Sequence, residues 1–287
     1  MFFNIIGAGR LGKNIAQALI KGEQATLAGV FNSTWSSTEL AVSQIGSGVA
    51  IARIEDLPVA DLTFITTPDD HIAEMVTRLA NHKRLAYAST VVHCSGVLNS
   101  DILLPLREQQ CHIASLHPLK AFREGLLVDN AFQGCDCALE GDAGALFILS
   151  SLFKPLGANL FTIASEKKAS YHAAAVMAAN YLVTLADNAN SLLQQAGISQ
   201  VQAHEIITRL MQSSLDNIKQ SPTIANALTG PLARGDISTM CQHLKALHNP
   251  DTKLLYQAAT LATLPLTTLS EEKKSLIRQA FVIDFPA

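Results

Sequence analysis

The segment that most restricts this chain is Gly7-Ala8-Gly9-Arg10-Leu11-Gly12, which follows the apolar run Phe2 to Ile6 and opens the helical spacing Leu11, Ile15, Ala16, Leu19. Glycine weakens the interior of a strand or a helix, so three of them this close together belong at a junction. There each has a use. The first permits a tight turn, the second lets a diphosphate approach the backbone, and the third lets helix pack closely on strand. Backbone N–H groups and the dipole at the helix start then favour negative charge. A glycine string alone also suits an ordinary strand-to-helix turn; its place between strand and helix, with a second strand following, selects the dinucleotide reading. Gly7, Ala8, Gly9, Arg10, Leu11 and Gly12 are therefore the expected cradle.

The runs Thr26 to Phe31, Leu62 to Thr67, Thr90 to His93, His112 to Leu116 and Cys137 to Leu139 read as further strands, with Asn159 to Ile163 as a closing one. Strands alternating with helical patterns imply βαβ units and a parallel sheet. After Ser165 the apolar residues recur at three and four instead of two, which signals helix. A long helix is expected from Ser165 to about Gln195, where Gly197 supplies the stop, followed by helices near Val201 to Gln220, Asp236 to Leu247, Pro250 to Thr263 and Ser270 to Phe281. The fold class is thus α/β: a Rossmann-type, doubly wound, mostly parallel sheet over 1–164, followed by an all-α domain over 165–287.

At 287 residues, 48% of them hydrophobic and 16% charged, the chain has the material for two packed cores. The formal net charge of −3 and the lack of any Lys/Arg block longer than a pair argue against nucleic acid as a partner. The apolar stretch from His172 to Ala186 carries polar residues and falls short of a membrane span, so it reads as a buried helix. Five cysteines, at 94, 111, 135, 137 and 241, fit neither a disulfide framework nor a zinc pattern, and no basic leader precedes the first apolar run. A cytoplasmic location and no metal are the expectations.

Coenzyme choice is read about 20 residues beyond the glycines, where an acid would hold the ribose 2′-OH of NAD. This chain has Phe31-Asn32-Ser33-Thr34. The missing acid disfavours NAD, and the hydroxyls of Ser33, Thr34, Ser36 and Ser37 offer donors to a 2′-phosphate, although no arginine stands beside them in sequence. NADP is therefore expected, with Asn32, Ser33, Thr34, Thr67 and Pro68 completing the coenzyme site.

Ligands of open α/β sheets gather at the carboxyl ends of strands, which places Thr66-Thr67-Pro68, His93-Cys94-Ser95-Gly96 and His117-Pro118 together. Ser95 and His117 can donate to a carboxylate or carbonyl, or can satisfy local backbone instead. Lys168, His172, Val176 and Asn180 recur every four residues and share a helical stripe. His172 is the acid/base candidate, because imidazole ordinarily titrates close to neutral pH. Asn180, among alanines, needs a partner, either a ligand or another helix. Arg234 has a fork suited to a carboxylate, with a surface ion pair as the plainer alternative.

Taken together, Gly7 to Gly12, Thr67-Pro68-Asp69, His93-Cys-Ser-Gly96, Ser115-Leu-His-Pro-Leu-Lys-Ala-Phe122, Tyr171-His-Ala-Ala-Ala175, Asn180-Tyr-Leu182 and Thr229-Gly-Pro-Leu-Ala-Arg-Gly-Asp236 resemble one uncharacterised family. Its members join a Rossmann-like domain to a helical domain of unknown function. That family is similar in organisation to ketopantoate reductase, pyrroline-5-carboxylate reductase and prephenate dehydrogenase. The resemblance implies NADP-dependent oxidation or reduction of a small molecule between the domains, and a helical domain that dimerises. Val176 stands where such relatives often carry a lysine four residues before the asparagine, so their catalytic assignment does not transfer. The sequence reading is an NADP-dependent oxidoreductase of a small carboxylated substrate, with His172, Asn180, Ser95 and His117 as catalytic candidates and Lys168 and Arg234 as substrate ligands. The alternative is a dinucleotide-binding sensor without turnover.

Overall fold

The computed structural model describes residues 1–82, 85–123, 125 and 127–282. It divides into two compact units, Met1–Asn180 and Tyr181–Ala287.

The first unit is built on one sheet of eight strands: β1 (Phe2–Ile6), β2 (Thr26–Phe31), β3 (Val49–Ile51), β4 (Leu62–Ile65), β5 (Thr90–His93), β6 (His112–Pro118), β7 (Asp136–Gly141) and β8 (Asn159–Thr162), in the spatial order β3-β2-β1-β4-β5-β6-β7-β8. All neighbours pair in parallel except β6 and β7. The chain leaves β1 towards β2 on one side and returns to β4 on the other, so the turn after β1 lies at the point where strand order reverses, the usual ligand crevice of such sheets. The helices α1 (Arg10–Lys21), α2 (Trp35–Ile45), α3 (Asp69–His82) and α4 (Ala143–Phe153) belong to this unit. Their apolar stripes form two cores with the strands. One gathers Phe3, Ile15, Leu19, Phe64, Phe132 and Phe153, and the other Ile6, Ile65, Ile72, Leu103, Leu106 and Ile113.

Two strand expectations needed correction. The run Val49 to Ile51 forms β3, which alternation over three residues is too short to reveal. The strand expected from Leu62 to Thr67 ends at Ile65, because the backbones of Thr66 and Thr67 turn away across the glycine loop.

The later helices are α5 (Lys168–Gln195), α6 (Gln200–Gln220), α7 (Pro231–Arg234), α8 (Ile237–Ala246), α9 (Pro250–Thr263) and α10 (Glu271–Ala280). Ser199, Asn249 and Ser270 cap the starts of α6, α9 and α10 through their side-chain oxygens. Met240, Leu264, Ile277 and Phe281 form the core of the second unit. Strand gives way to helix after Thr162, yet the compact units divide between Asn180 and Tyr181, because Lys168 and Tyr171 of α5 still bond to the sheet. The expected boundary at residue 164 follows the change of periodicity and so cuts α5 from strands it packs on. Reading α5 as a buried helix also needs correction: of its 28 residues only Lys168 is buried within the single chain, and Met177 is 67% and Val183 69% exposed. No helix among the described residues is long and apolar enough to cross a membrane.

Candidate functional site

The glycine turn has the geometry its spacing implies. Gly7 has φ +88°, and a Cβ there would meet Thr67 N at 2.7 Å. A Cβ on Gly12 would overlap Thr66 Oγ1, so the third glycine lets α1 lie against the end of β4. Gly9 differs from both: a Cβ would find only Gly7 O, at 3.9 Å, so its open face borders free space. That space is a cavity of about 630 Å³, walled by Gly7 to Gly9 on one side, by Asn32, Ser33 and Ser37 on a second and by Thr67 and Pro68 on a third. Thr67 Oγ1 is buried there with no hydrogen-bond partner. A buried hydroxyl without a partner is costly, and a ligand with polar atoms at that wall would relieve it. The open glycine face, the start of α1 and the orphaned hydroxyl fit a dinucleotide diphosphate.

The residues expected to read the ribose divide. Asn32 accepts from Ala8 N at 2.6 Å through Oδ1 and donates to Ser37 O at 3.0 Å, so its amide holds the loop after β2 against the glycine turn. Ser33 is exposed on the cavity wall. Thr34 instead caps α2, its Oγ1 accepting from Ser37 N and donating to Ser37 Oγ at 2.8 Å, which corrects its expected place among the coenzyme ligands. Leu11 packs against the core, and Arg10 sits exposed on the first turn of α1. Folding also brings in cations that the local sequence did not place there. Lys13 lines the cavity and donates to the neutral Gln44 Oε1 at 2.7 Å. Arg78 reaches it from α3, 5.5 Å over the ring of Phe31, although Glu55 at 3.0 Å already takes much of its charge.

A second cavity, of about 470 Å³, lies within the first unit between the end of β6 and the first half of α5. His117, Tyr171, His172, Lys120, Val176 and Asn180 are among its walls. His117 Nδ1 lies 2.8 Å from Tyr171 OH, and the rings of His117 and His172 stand 5.6 Å apart at 66°. Gly96, buried and outside the cavity wall itself, packs beneath both rings. A Cβ there would collide with the His172 ring and lie 2.9 Å from the Nε2 atoms of both histidines. The two Nε2 atoms therefore converge above a residue that must have no side chain. Burial, then the charges of His172 and Lys168, lowers His117 to about 4, which keeps it neutral near pH 7.

Ser95 and Lys168 prove to be scaffold. Ser95 Oγ donates to Asp69 Oδ2 at 2.8 Å and accepts from Val97 N and Leu98 N, which uses the hydroxyl completely. Asp69 begins α3 directly after Thr67-Pro68, so this bond joins the wall of the first cavity to the loop beneath the histidines. Lys168 has its side chain 2% exposed. Its Nζ donates to Ser95 O at 3.0 Å and to Ser115 Oγ, and lies 3.7 Å from Glu140 Oε1. Two of its three N–H donors are spent on the protein and the charge is paired with Glu140, and Lys168 lines neither cavity, so it is committed to the interior and not offered to a substrate. His93 is also internal: Nδ1 accepts from Ser95 N and Nε2 faces Asn99 O at 3.1 Å, while burial and then Lys168 lower it to about 3. Arg234 belongs to the second unit and pairs with Asp236 Oδ2 at 3.2 Å, the plainer of its two readings. The five cysteines are free, and the described residues hold no group that would bind a metal.

Sequence reasoning singled out His117, His172 and Asn180, and these share a cavity. Tyr171, Lys120 and Asp69 enter that reading only as parts of its motifs and not as site residues, although Tyr171 adjoins His172, Asp69 adjoins Pro68 and Lys120 lies three residues after His117. Lys13 lies one residue past the glycine motif and outside its pattern, and Arg78 is brought in only by tertiary folding.

Residues 1–118 match the Rossmann-like domain family, and residues 135–263 match the domain of unknown function DUF2520. A search of curated proteins found no match. Among solved structures, a protein of Bacteroides fragilis described as a candidate NADP oxidoreductase, BF3122, is 20% identical over 92% of this chain and 98% of its own, with a TM-score of 0.77. Protein TM1727 of Thermotoga maritima is 27% identical over 96% of this chain and 99% of its own, with a TM-score of 0.67. The pyrroline carboxylate reductase of Plasmodium falciparum, solved with NADP bound, is 12% identical over 93% and 98%, with a TM-score of 0.59. Sheet order, glycine turn and family matches agree: the chain joins a Rossmann-like domain to a DUF2520 domain.

Proposed function

We propose that the protein is an oxidoreductase that uses a nicotinamide dinucleotide, NADP in preference to NAD, on a small carboxylated substrate. The observation that carries this reading is one sheet end bearing both a diphosphate cradle with an orphaned Thr67 hydroxyl and a pair of convergent imidazoles. The coenzyme would be held by Gly7, Gly9, Thr67, Pro68 and Ser33, and when bound it supplies or takes the hydride.

The chain's own part is the proton and the orientation. Reduction of C=O or C=N leaves a heteroatom that must gain a proton, and His172, half-buried beside open space, is placed to give it. His117, neutral and fixed by Tyr171, orients the substrate as a hydrogen-bond donor. Asn180 offers both a donor and an acceptor on the same wall, and Lys120 brings a positive charge suited to a carboxylate. The preference for NADP rests on the missing acid after β2, the hydroxyls of Ser33 and Ser37, and the charge of Lys13 facing the same cavity.

Thermal shift with NADP, NAD and their reduced forms, repeated against keto and imino acids, tests this reading. Coenzyme at 100 times its dissociation constant should add about 2.7 kcal/mol of stability. Lys13→Ala should weaken NADPH more than NADH, read by coenzyme fluorescence. No shift with any nicotinamide coenzyme would refute the proposal. Saturation by coenzyme with no response to any acid would favour a sensor.

The helical unit, on the same reading, pairs with a second copy of itself. Val183 and Leu185 of α5 and Val201, Leu210, Leu215 and Ile218 of α6 are all exposed in the single chain, and a groove of about 780 Å³ runs between the two helices. Apolar patches of this kind mark association surfaces.

A further inference from the structure

Three ring nitrogens in the histidine pocket have no hydrogen-bond partner among the described residues: His117 Nε2 and both nitrogens of His172. The fourth, His117 Nδ1, is engaged by Tyr171 OH at 2.8 Å. This contact decides what His117 can do, because a neutral imidazole carries one proton, and the nitrogen bearing it is set by the bond the other nitrogen makes.

The direction of the Tyr171 contact follows from chemistry. A phenol is a far stronger acid than a neutral imidazole N–H, and an imidazole nitrogen is a better acceptor than a phenol oxygen. The hydroxyl also has no other acceptor among the described residues, so donation to His117 is its one use. Burial acts on both partners in the same sense, keeping the imidazole neutral and raising the Tyr171 hydroxyl above its ordinary range. The His117 proton therefore resides on Nε2, the atom that faces Gly96 and His172.

We propose that Tyr171 is a positioning residue that locks His117 as an Nε2–H donor, and that the two imidazoles above Gly96 thereby form a seat for one carbonyl or carboxylate oxygen. The ligand half of this statement rests on the reading of the pocket as the substrate site; the tautomer half does not. Acceptor oxygens fit the seat for two reasons. His117 presents N–H and no lone pair there, and the buried Lys168 ammonium behind Ser95 O adds a positive field without competing for the ligand. An amine or ammonium head would meet the His117 donor and a positive potential, and is disfavoured on both counts.

The test is nitrogen-15 NMR of the full chain labelled in histidine, near pH 7, with the His117 signals assigned by their loss in His117→Gln. In the wild type Nδ1 should resonate as the bare, pyridine-like nitrogen and Nε2 as the protonated one. Tyr171→Phe keeps the edge contacts of the ring with His117 at 5.6 Å and Phe161 at 6.1 Å, so the fold is retained and only the hydroxyl is lost. The tautomer ratio should then move at least about fivefold towards Nδ1–H, the weight of one ordinary hydrogen bond. Acetate, as the simplest carboxylate, should shift the Nε2–H signal of the wild type and bind at least about fivefold more weakly to the variant. A wild type with its proton on Nδ1, or a ratio unchanged by Tyr171→Phe, overturns the positioning role. A wild type whose signal ignores acetate overturns the seat. Neither readout needs coenzyme or turnover, so a failed coenzyme titration would count against the oxidoreductase reading alone.

Discussion

Replacing Lys168 by methionine should be among the most damaging single changes in the first unit. The ammonium and the Glu140 carboxylate are 3.7 Å apart, with side chains 2% and 3% exposed. Burial lowers the lysine below its ordinary range, and the charge of Glu140 opposes that shift. The carboxylate has its own donors: Ser100 N at 2.6 Å on Oε1, and the hydroxyls of Ser100 and Ser165, each at 2.9 Å, on Oε2. Lys168→Met retains most of the apolar stem but leaves that carboxylate buried among neutral groups, and also strips a donor from Ser95 O and Ser115 Oγ. Breaking a buried pair in this way costs about 3–5 kcal/mol. At about 2–4 °C per kcal/mol for a unit of this size, the melting temperature should fall by about 6–20 °C. The double variant Lys168→Met/Glu140→Gln removes the orphaned charge and should recover a substantial part of the loss. Urea and thermal unfolding of the three variants, with Glu140→Gln alone completing the cycle, measure the coupling. A cost below about 1 kcal/mol for Lys168→Met, or a double variant no more stable than the sum of the singles predicts, would refute the argument.

Stability should also respond to acid through two histidines held neutral. His93 and His117 are lowered to about 3 and about 4, below the unfolded value near 6.5. The unfolded chain therefore binds protons that the folded chain refuses. Their contribution is complete above pH 6.5 and is lost as pH falls towards 4 and then 3, with a limiting slope of about 2.7 kcal/mol per pH unit for two protons. Urea titrations between pH 7 and 4.5 should show it, and a slope unchanged in His93→Gln would contradict it. Gly96→Ala should leave the fold intact, since the clash is with imidazole rings, yet lower turnover about 100-fold by displacing them. Full activity in that variant would remove the histidines from the reaction. Light scattering of the purified chain should give twice 30.7 kDa, and Leu210→Asp or Leu215→Asp should halve it; a monomeric wild type would refute pairing through α5 and α6.

The parts of this molecule that the sequence displayed are those written in local pattern. Seven apolar runs and a glycine triplet announced strands and turn, and Asn249-Pro250 announced the start of α9. The antiparallel entry of β7 could not be read, because pairing direction is a property of two distant segments and leaves no trace in either. Thr34 showed a hydroxyl in the right place, but nothing local told a cap from a ligand. Lys168 had the same ambiguity in charge: on the α5 stripe it looked like a reaching cation, and only the arrival of Glu140 and Ser115 from β7 and β6 consumed it. Tyr171 was hidden for the opposite reason, since a tyrosine beside a histidine is unremarkable until His117 comes to meet it. Arg78 lies some 45 residues along the chain from the serines it joins at the cavity wall, and only folding brings it there.

The short bond from Ser95 to Asp69 makes the two cavities of the first unit share an edge. Thr67 and Pro68 lean on one side of that edge and Gly96 on the other, with Asp69, Ser95 and one hydrogen bond between them. Whatever seats itself against the threonine thus also sets the height of the floor on which the imidazoles stand. An engineer who reshaped either chamber would be retuning its neighbour in the same stroke.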